Sequence, residues 1–225
     1  MDNYIQFPRY SIYLIPNKLF IDQVEKLLLK NNVKYDNLEI SQYGLHYTVK
    51  APFYLSHLYN EEELINSFQE YFLSNQNKSY KEVFNVLGLK KIKNVFALEM
   101  NSNEKFNFLC NDIMRYFDLY RKTLNQQEVQ KDIKRFSNLT SLEMEYYLIW
   151  GYPYLFEFNN HHISVSDIKK EIIFDNSIKS LNYSNISLMR QDSLNSKFIF
   201  IRFILIKQKI IFKGINKFFL TIKMT

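Results

Sequence analysis

The chain has 225 residues, of which 47% are hydrophobic and 23% charged, and its formal net charge is +6 at pH 7. This composition is typical of a globular domain that can bury a core, and only four glycines and four prolines exclude collagen-like, proline-rich and linker-like chains. The single cysteine, Cys110, excludes an intramolecular disulfide and a multi-cysteine metal site, and it favours a reducing compartment. The basic excess suits phosphate-bearing partners, although an AT-rich genome enriches lysine in the same way.

The first half of the chain alternates strand and helix patterns. Pro16 ends a β-rich run, Gly44 precedes a second one, and Asn60 is placed to cap a helix. Strands are predicted over residues 10–16, 45–49, 83–89 and 95–100, with 90–94 as a hairpin connection, and helices over 20–29 and 61–73.

The second half repeats this alternation. Helices are predicted over residues 105–120, 126–135, 141–150 and 168–181, and strands over 162–165, 186–189 and 198–206. We therefore expect an α+β fold over residues 1–206, with an N-terminal lobe of about 1–90 and a C-terminal lobe of about 91–206. Residues 207–225 are expected to form a basic tail.

Targeting signals are not expected in this sequence. The first ten residues include Asp2 and Arg9 and lack an apolar run, so they do not resemble a signal peptide. The most apolar stretch, residues 198–206, contains Arg202 and is far shorter than the about 20 residues of a membrane span. We expect a cytoplasmic protein that is not inserted in a membrane.

Two of the four histidines lie in matching motifs. His46-Tyr-Thr-Val and His162-Ile-Ser-Val both read histidine, any residue, hydroxyl residue, apolar residue. Residues i and i+2 of a strand share a face, so each motif presents an imidazole beside the hydroxyl of Thr48 or Ser164. The motifs are about half the chain apart, which is the spacing of a duplicated lobe with two strands facing one another across a groove.

Such a groove predicts phosphoryl chemistry. Two imidazoles can act as general base and general acid on opposite sides of one phosphorus atom, while two hydroxyls donate hydrogen bonds to its oxygens. The alternative is structural: two partly buried histidines bonded to neighbouring strand hydroxyls. His57 and His161 lack a hydroxyl residue at i+2, and we expect a surface role for His57 and a structural one for His161.

These motifs resemble the 2H phosphoesterase superfamily, which includes RNA 2′,3′-cyclic phosphodiesterases and 2′-5′ RNA ligase-like proteins. The greater similarity is to an uncharacterised branch often encoded in bacterial phosphonate-utilisation operons. The similarity covers about residues 9 to 206, and the segments that carry it are residues 9–16, 43–55, 117–121, 150–154 and 162–165.

The resemblance implies two pseudo-symmetric lobes whose antiparallel sheets face a central groove. It also implies that His46 and His162 are the catalytic pair and that Thr48 and Ser164 hold the phosphate. In that superfamily the first histidine is usually assigned as the acid and the second as the base, and reversing the reaction reverses these roles. The second motif departs from the family pattern, because it carries Ser164 rather than threonine and follows a polar Asn-Asn-His lead-in.

Five further residues are candidates for binding substrate. Lys50 is expected on the face of Thr48, where its ammonium could meet a second phosphate, with a solvated lysine as the alternative. Tyr10 and Tyr13 are expected on opposite faces of one strand, so at most one of them lines the groove, and packing in the core is the alternative for either. Tyr152 and Tyr154, which flank Pro153, line the groove or form a structural corner, and Arg121 is more typical of a surface residue.

The sequence therefore predicts a metal-independent phosphodiesterase without a cofactor. Its expected substrate is a small cyclic phosphate or a nucleotide or RNA end carrying a 2′,3′-cyclic phosphate. The alternative is a module on the same scaffold that binds RNA ends or nucleotides without turnover. The oligomeric state is not predicted.

Overall fold

The computed structural model describes residues 8–74, 83–135, 138–193 and 196–205. The α-helices in these ranges are α1 (Lys18–Lys30), α2 (Glu61–Ser74), α3 (Glu104–Asp118), α4 (Gln126–Arg135) and α5 (Ser141–Trp150). The strands are β1 (Arg9–Pro16), β2 (Tyr47–Tyr54), β3 (Phe84–Ile92), β4 (Val95–Met100), β5 (His162–Ser166), β6 (Ser180–Leu181), β7 (Tyr183–Gln191) and β8 (Ile199–Leu205). The α+β class is therefore confirmed.

The strands form two antiparallel four-stranded sheets. The first has the order β2-β1-β7-β8 and the second the order β5-β4-β3-β6. Each sheet takes strands from both halves of the chain, and the expected lobe boundary near residue 90 falls inside β3. Both histidine motifs lie at an outer strand, because β2 and β5 are the edges of their sheets.

Helix ends follow the capping residues in the sequence. The Asn60 side chain accepts a hydrogen bond from the Glu63 backbone N–H at 3.0 Å, and Glu63 accepts one from the Asn60 N–H at 2.8 Å. Thr140 and Glu143 form the same reciprocal box at the start of α5. Gly151 ends α5 with φ of 74°, a left-handed conformation that glycine adopts without strain.

The helix predicted over residues 168–181 is wrong. This segment is irregular until it reaches β6. Its apolar residues Ile172 and Ile178 are buried in the core, and Asn31 bonds the backbone of Ile173 through both its amide nitrogen and its oxygen. These side-chain hydrogen bonds take the place of helical backbone bonds. The apolar residues have helical spacing because they anchor an irregular segment in the core, not because the segment is a helix.

One hydrophobic core joins helices α1, α2 and α3 to one face of both sheets. It includes Leu28 of α1, Phe68 of α2, Phe117 of α3, Ile12 of β1 and Leu98 of β4, each at most 1% exposed. The opposite face of the first sheet carries a separate small cluster of Tyr13, Met189 and Phe198. The faces turned away from the main core are the ones that carry the histidine motifs.

No helix in the described part of the chain is long and apolar enough to cross a membrane. The predicted basic tail, residues 207–225, lies outside the described residues.

Candidate active site

His46 and Thr48 lie at the start of β2, on the face turned away from the main core. Both are partly exposed, whereas Tyr47 and Val49 between and after them are buried. This alternation follows from the two-residue period of a strand. The His46 Nδ1 atom lies 2.7 Å from the backbone oxygen of Gly44.

His162 and Ser164 repeat this arrangement on β5. Both are partly exposed, and the intervening Ile163 and the following Val165 are buried. The His162 Nδ1 atom lies 2.5 Å from the backbone oxygen of Asn160. Each imidazole is thus bonded to the carbonyl two residues before it.

These carbonyl contacts determine the tautomer of both histidines. A carbonyl oxygen can only accept a hydrogen bond, so Nδ1 carries the proton in His46 and in His162. The Nε2 atom of each neutral ring then holds a lone pair. This atom can take a proton from water, or give one up after the ring has been protonated.

Tyr13 covers one face of the His46 ring. The two rings stack with centroids 3.8 Å apart and an interplanar angle of 20°, and Tyr13 pairs with Thr48 in the β1–β2 register. Tyr10 lies on the opposite face of β1, where its hydroxyl donates to Glu61 at 2.9 Å. Of the two candidate tyrosines, Tyr13 is therefore the one beside the histidine, and its ring supports the imidazole.

The surroundings of His46 keep its ring neutral. Burial lowers the pKa of His46 to about 4, the hydrogen bond to Gly44 opposes this shift, and the charge of His162 lowers the pKa further. His46 as a whole residue is nevertheless partly exposed to solvent.

His162 has charged neighbours that the sequence did not reveal. Glu99 pairs directly with His162 across β4 and β5, and Ala97 pairs both with Ser164 and with Lys90. Paired residues share a sheet face, so Lys90 and Glu99 lie on the face of the histidine. Lys90 donates a hydrogen bond to Glu99.

This ion pair acts on the protonation of His162 in two directions. Burial lowers the pKa of His162 and the hydrogen bond to Asn160 opposes this shift; Lys90 then lowers the pKa and Glu99 raises it. Lys90 was predicted in a hairpin connection, but β3 extends to Ile92 and includes it. The strand register that brings Glu99 to His162 is not readable from one sequence.

Tyr47 ties the two histidine strands together on the core side. Its hydroxyl accepts a hydrogen bond from the Asn159 amide at 2.8 Å and lies 2.9 Å from Nδ1 of His161. The Tyr47 proton is then donated to His161, whose ring stacks on Tyr47 with an interplanar angle of 8°. Burial, and then the charge of His162, lower the pKa of His161 to about 4, so it is a neutral structural residue, as expected.

Lys50 does not share the face of Thr48. The β1–β2 register shifts between the Ile12–Lys50 and Tyr13–Thr48 pairs, and this bulge turns Lys50 to the core face. Lys50 is 3% exposed, and its ammonium donates to Asp118 at 2.7 Å. Burial lowers the pKa of Lys50 to about 8 although Asp118 raises it.

Arg121 belongs to the same buried cluster rather than to the surface. It bonds both oxygens of Asp118, at 2.8 Å and 3.2 Å, and the carbonyl of Ile149 at 2.6 Å. A small cavity beside the cluster is lined in part by Lys50, Arg121, Trp150 and Tyr152, and its lining includes neither His46 nor His162.

Tyr152 and Tyr154 form a corner after α5. Their rings meet edge to face with centroids 5.6 Å apart, and the Tyr154 hydroxyl accepts a hydrogen bond from Lys93 at 2.9 Å. Tyr152 is near enough to raise the pKa of Tyr13. Tyr154 instead contacts Lys93, which lies in the turn between β3 and β4. Binding of substrate by either tyrosine stays a prediction.

His57 lies in an exposed turn, as expected. Within the described ranges, no group of three or more His, Cys, Asp and Glu side chains could hold a metal ion.

Two comparisons relate the chain to known proteins. A sequence model of the family described as "Protein of unknown function (DUF1045)" matches residues 48–199, and the chain belongs to this family. A protein named ribose 1,5-bisphosphate phosphokinase PhnN, from Janthinobacterium sp. (strain Marseille), is 30% identical over 127 residues. The match covers 56% of this chain and 27% of that relative, so the chain spans about a quarter of the relative's length.

Proposed function

We propose that this DUF1045 protein is a phosphodiesterase that opens a small cyclic phosphate, or the 2′,3′-cyclic phosphate of a nucleotide or RNA end, with His46 and His162 as its acid–base pair. The observation that carries the proposal is the matched state of the two rings. Each Nδ1 donates to a carbonyl two residues before it, which leaves each Nε2 for proton transfer.

The reaction is a hydrolysis at phosphorus. Water adds to phosphorus as one imidazole removes its proton, and the bond from phosphorus to one ribose oxygen breaks as the other imidazole protonates that oxygen. A phosphate monoester and a free hydroxyl result. The two imidazoles handle both protons, so the mechanism needs no metal ion.

The surroundings of the rings favour a division of roles. His46, with its pKa of about 4, is neutral at physiological pH and suits the base. Burial and Lys90 lower the pKa of His162, while Glu99 opposes this shift. A bound phosphate anion would raise the pKa of His162 further, and on this ground we assign His162 as the acid. This division is the reverse of the one usual in the 2H phosphoesterase superfamily.

Thr48 and Ser164 are proposed to bind the reacting phosphate. Each is two residues after its histidine, on the same strand face, and each carries one donor that can reach a non-bridging oxygen. Hydrogen bonds of this kind stabilise the charge that builds on those oxygens in the transition state.

The named relative supports a phosphorylated sugar as the substrate class. Its name refers to ribose 1,5-bisphosphate, and the similar branch seen in the sequence is encoded with phosphonate-utilisation genes. Its kinase activity is not proposed for this chain. The four glycines do not include the pair that begins a G-x-x-x-x-G-K phosphate-binding loop.

The proposal is tested by hydrolysis of adenosine 2′,3′-cyclic phosphate in the presence of EDTA. We expect His46→Asn and His162→Asn each to lower kcat about 10²- to 10⁴-fold. His57→Asn is the matched control, because this exposed histidine should leave the rate unchanged.

Full activity in either active-site variant, or loss of activity with EDTA, would contradict the proposal. Tight binding of the cyclic nucleotide without turnover would instead support a non-catalytic binding module.

A further inference from the structure

The second sheet carries an ion pair beside His162 that the acid–base mechanism alone does not require. Lys90 and Glu99 lie on the face of β3 and β4 that carries His162, and their side chains are 35% and 39% exposed. Glu99 is directly opposite His162, while Lys90 is one strand beyond Ser164, with Ala97 between them. Both charges act on the His162 ring, so the pair lies close to the reacting centre.

The surface beside this pair is open at Gly88. Gly88 pairs with Glu99 on the same face, and a Cβ atom at Gly88 would meet nothing within 4 Å. Ala97, the neighbour of Lys90, is fully buried, so the open part of this face lies beside Glu99 and Gly88 rather than between Lys90 and Ser164.

We propose that Lys90 and Glu99 form a binding subsite for a second phosphate, a monoester carried on the sugar of the substrate. This inference rests on the proposed function, because it places the subsite beside the phosphate held by Ser164 and His162. An ammonium group has three donors, and Glu99 occupies one of them. The others can bind phosphate oxygens, while the carboxylate accepts hydrogen bonds from sugar hydroxyls.

The bond between Lys90 and Glu99 does not prevent Lys90 from binding a phosphate. A lysine side chain is long and loses rotational freedom when it binds, and the bond to Glu99 holds the ammonium in place before the ligand arrives. Lys50 provides the contrast. Its ammonium is buried on the opposite face with Asp118, so it is not available to a ligand in the groove.

The subsite is tested with two substrates that differ by one phosphate: adenosine 2′,3′-cyclic phosphate with and without a 5′-phosphate. We expect wild-type kcat/KM to favour the 5′-phosphorylated compound by about 10- to 100-fold, the effect of a hydrogen-bonded charge. Lys90→Gln should abolish this preference. Glu99→Gln keeps an oxygen that can accept from the ammonium and removes the negative charge that repels a phosphate, so it should keep or increase the preference.

Lys91→Gln is the matched control. Lys91 is next on the same strand but pairs with buried Phe96, and its ammonium lies 5.8 Å from the centre of that ring, on the other face. The same loss of charge there should leave the preference unchanged. Equal kcat/KM for the two substrates in the wild type, or a preserved preference in Lys90→Gln, would overturn the subsite.

A binding measurement separates failure of the subsite from failure of the proposed function. If neither compound is hydrolysed, the phosphodiesterase proposal is wrong, but calorimetric affinities for adenosine 5′-monophosphate and adenosine still test the subsite. Tighter binding of the monophosphate that is lost in Lys90→Gln and kept in Lys91→Gln supports the subsite. Equal affinities for the two compounds, or equal affinities in the two variants, contradict it.

Discussion

The site has two halves, one formed by His46 and Thr48 and the other by His162 and Ser164. These half-sites share a backbone arrangement and differ in what surrounds the imidazole. At His46 the neighbour is an aromatic ring, Tyr13, stacked at 3.8 Å, whereas at His162 the neighbours are the charged side chains of Lys90 and Glu99. In both, Nδ1 donates to a carbonyl two residues back.

In the proposed mechanism this difference adapts one motif to two proton-transfer roles. The motif and its carbonyl contact determine which ring nitrogen is left for proton transfer. The adjacent strand then decides how readily that nitrogen is protonated, through apolar shielding on β1 or through a carboxylate on β4. A pair of identical half-sites would have no preferred direction for the proton.

Both half-sites place a hydroxyl residue, Thr48 or Ser164, beside the histidine, and substitutions of these two residues test whether both bind the phosphate. We expect Thr48→Ala and Ser164→Ala to lower kcat by similar factors of about 10²- to 10³-fold, the cost of one transition-state donor. Steady-state kinetics on adenosine 2′,3′-cyclic phosphate measure this. Thr48→Ser and Ser164→Thr are the conservative controls, and a large loss in only one of the two alanine variants would show that the half-sites do not bind the phosphate equally.

Tyr47 tests whether the half-sites are held at a fixed separation. Tyr47→Phe leaves the Asn159 amide and the His161 nitrogen without their shared partner, which should lower the free energy of unfolding by about 1–3 kcal/mol. Urea unfolding measures this loss.

A second measurement on Tyr47→Phe tests whether Tyr47 fixes the distance between the His46 and His162 rings. In wild-type protein, His162→Asn should raise the pKa of His46 as followed by NMR, because it removes the charge of His162. In the Tyr47→Phe background this rise should be smaller. An unchanged rise would mean that Tyr47 does not set the distance between the two rings.

The pH dependence tests the part in which the half-sites differ. The proposed mechanism requires neutral His46 and protonated His162, so kcat/KM should fall below pH about 4 and fall again as pH rises through a value below 6.5. Tyr13→Leu exposes His46, raises its pKa and should move the acid limb upward. Glu99→Gln removes the charge that raises the pKa of His162 and should move the alkaline limb downward.

Each of these shifts is expected to be about one pH unit, or tenfold at a fixed pH on the limb. Movement of the same limb in both variants would contradict the assignment of two different environments.

Much of this account follows from residue patterns. The alternation of buried and exposed residues around His46 and His162 is a property of strands, and the caps at Asn60 and Gly151 follow from local chemistry. These features depend on neighbours in the sequence, and the structure has them where the sequence places them.

The remaining features depend on contacts between distant residues. The register shift between Thr48 and Lys50, one of two in the β1–β2 pairing, turns Lys50 to the core, and no residue type marks it. Glu99 and Lys90 reach His162 through strand register, and the apolar spacing of residues 168–181 resembled a helix because Ile172 and Ile178 are anchors in the core. Such contacts cannot be read from local periodicity.

The most direct test of the account uses a leaving group that needs no proton. Thymidine 3′-(4-nitrophenyl phosphate) releases nitrophenolate unprotonated, whereas opening of adenosine 2′,3′-cyclic phosphate requires protonation of a ribose oxygen. If His162 is the acid and His46 the base, His162→Asn should be severely impaired on the cyclic phosphate but close to wild type on the nitrophenyl ester, and His46→Asn should be impaired on both. Rescue of His46→Asn instead, or equal losses for both variants on both substrates, would contradict the division of roles between the two half-sites.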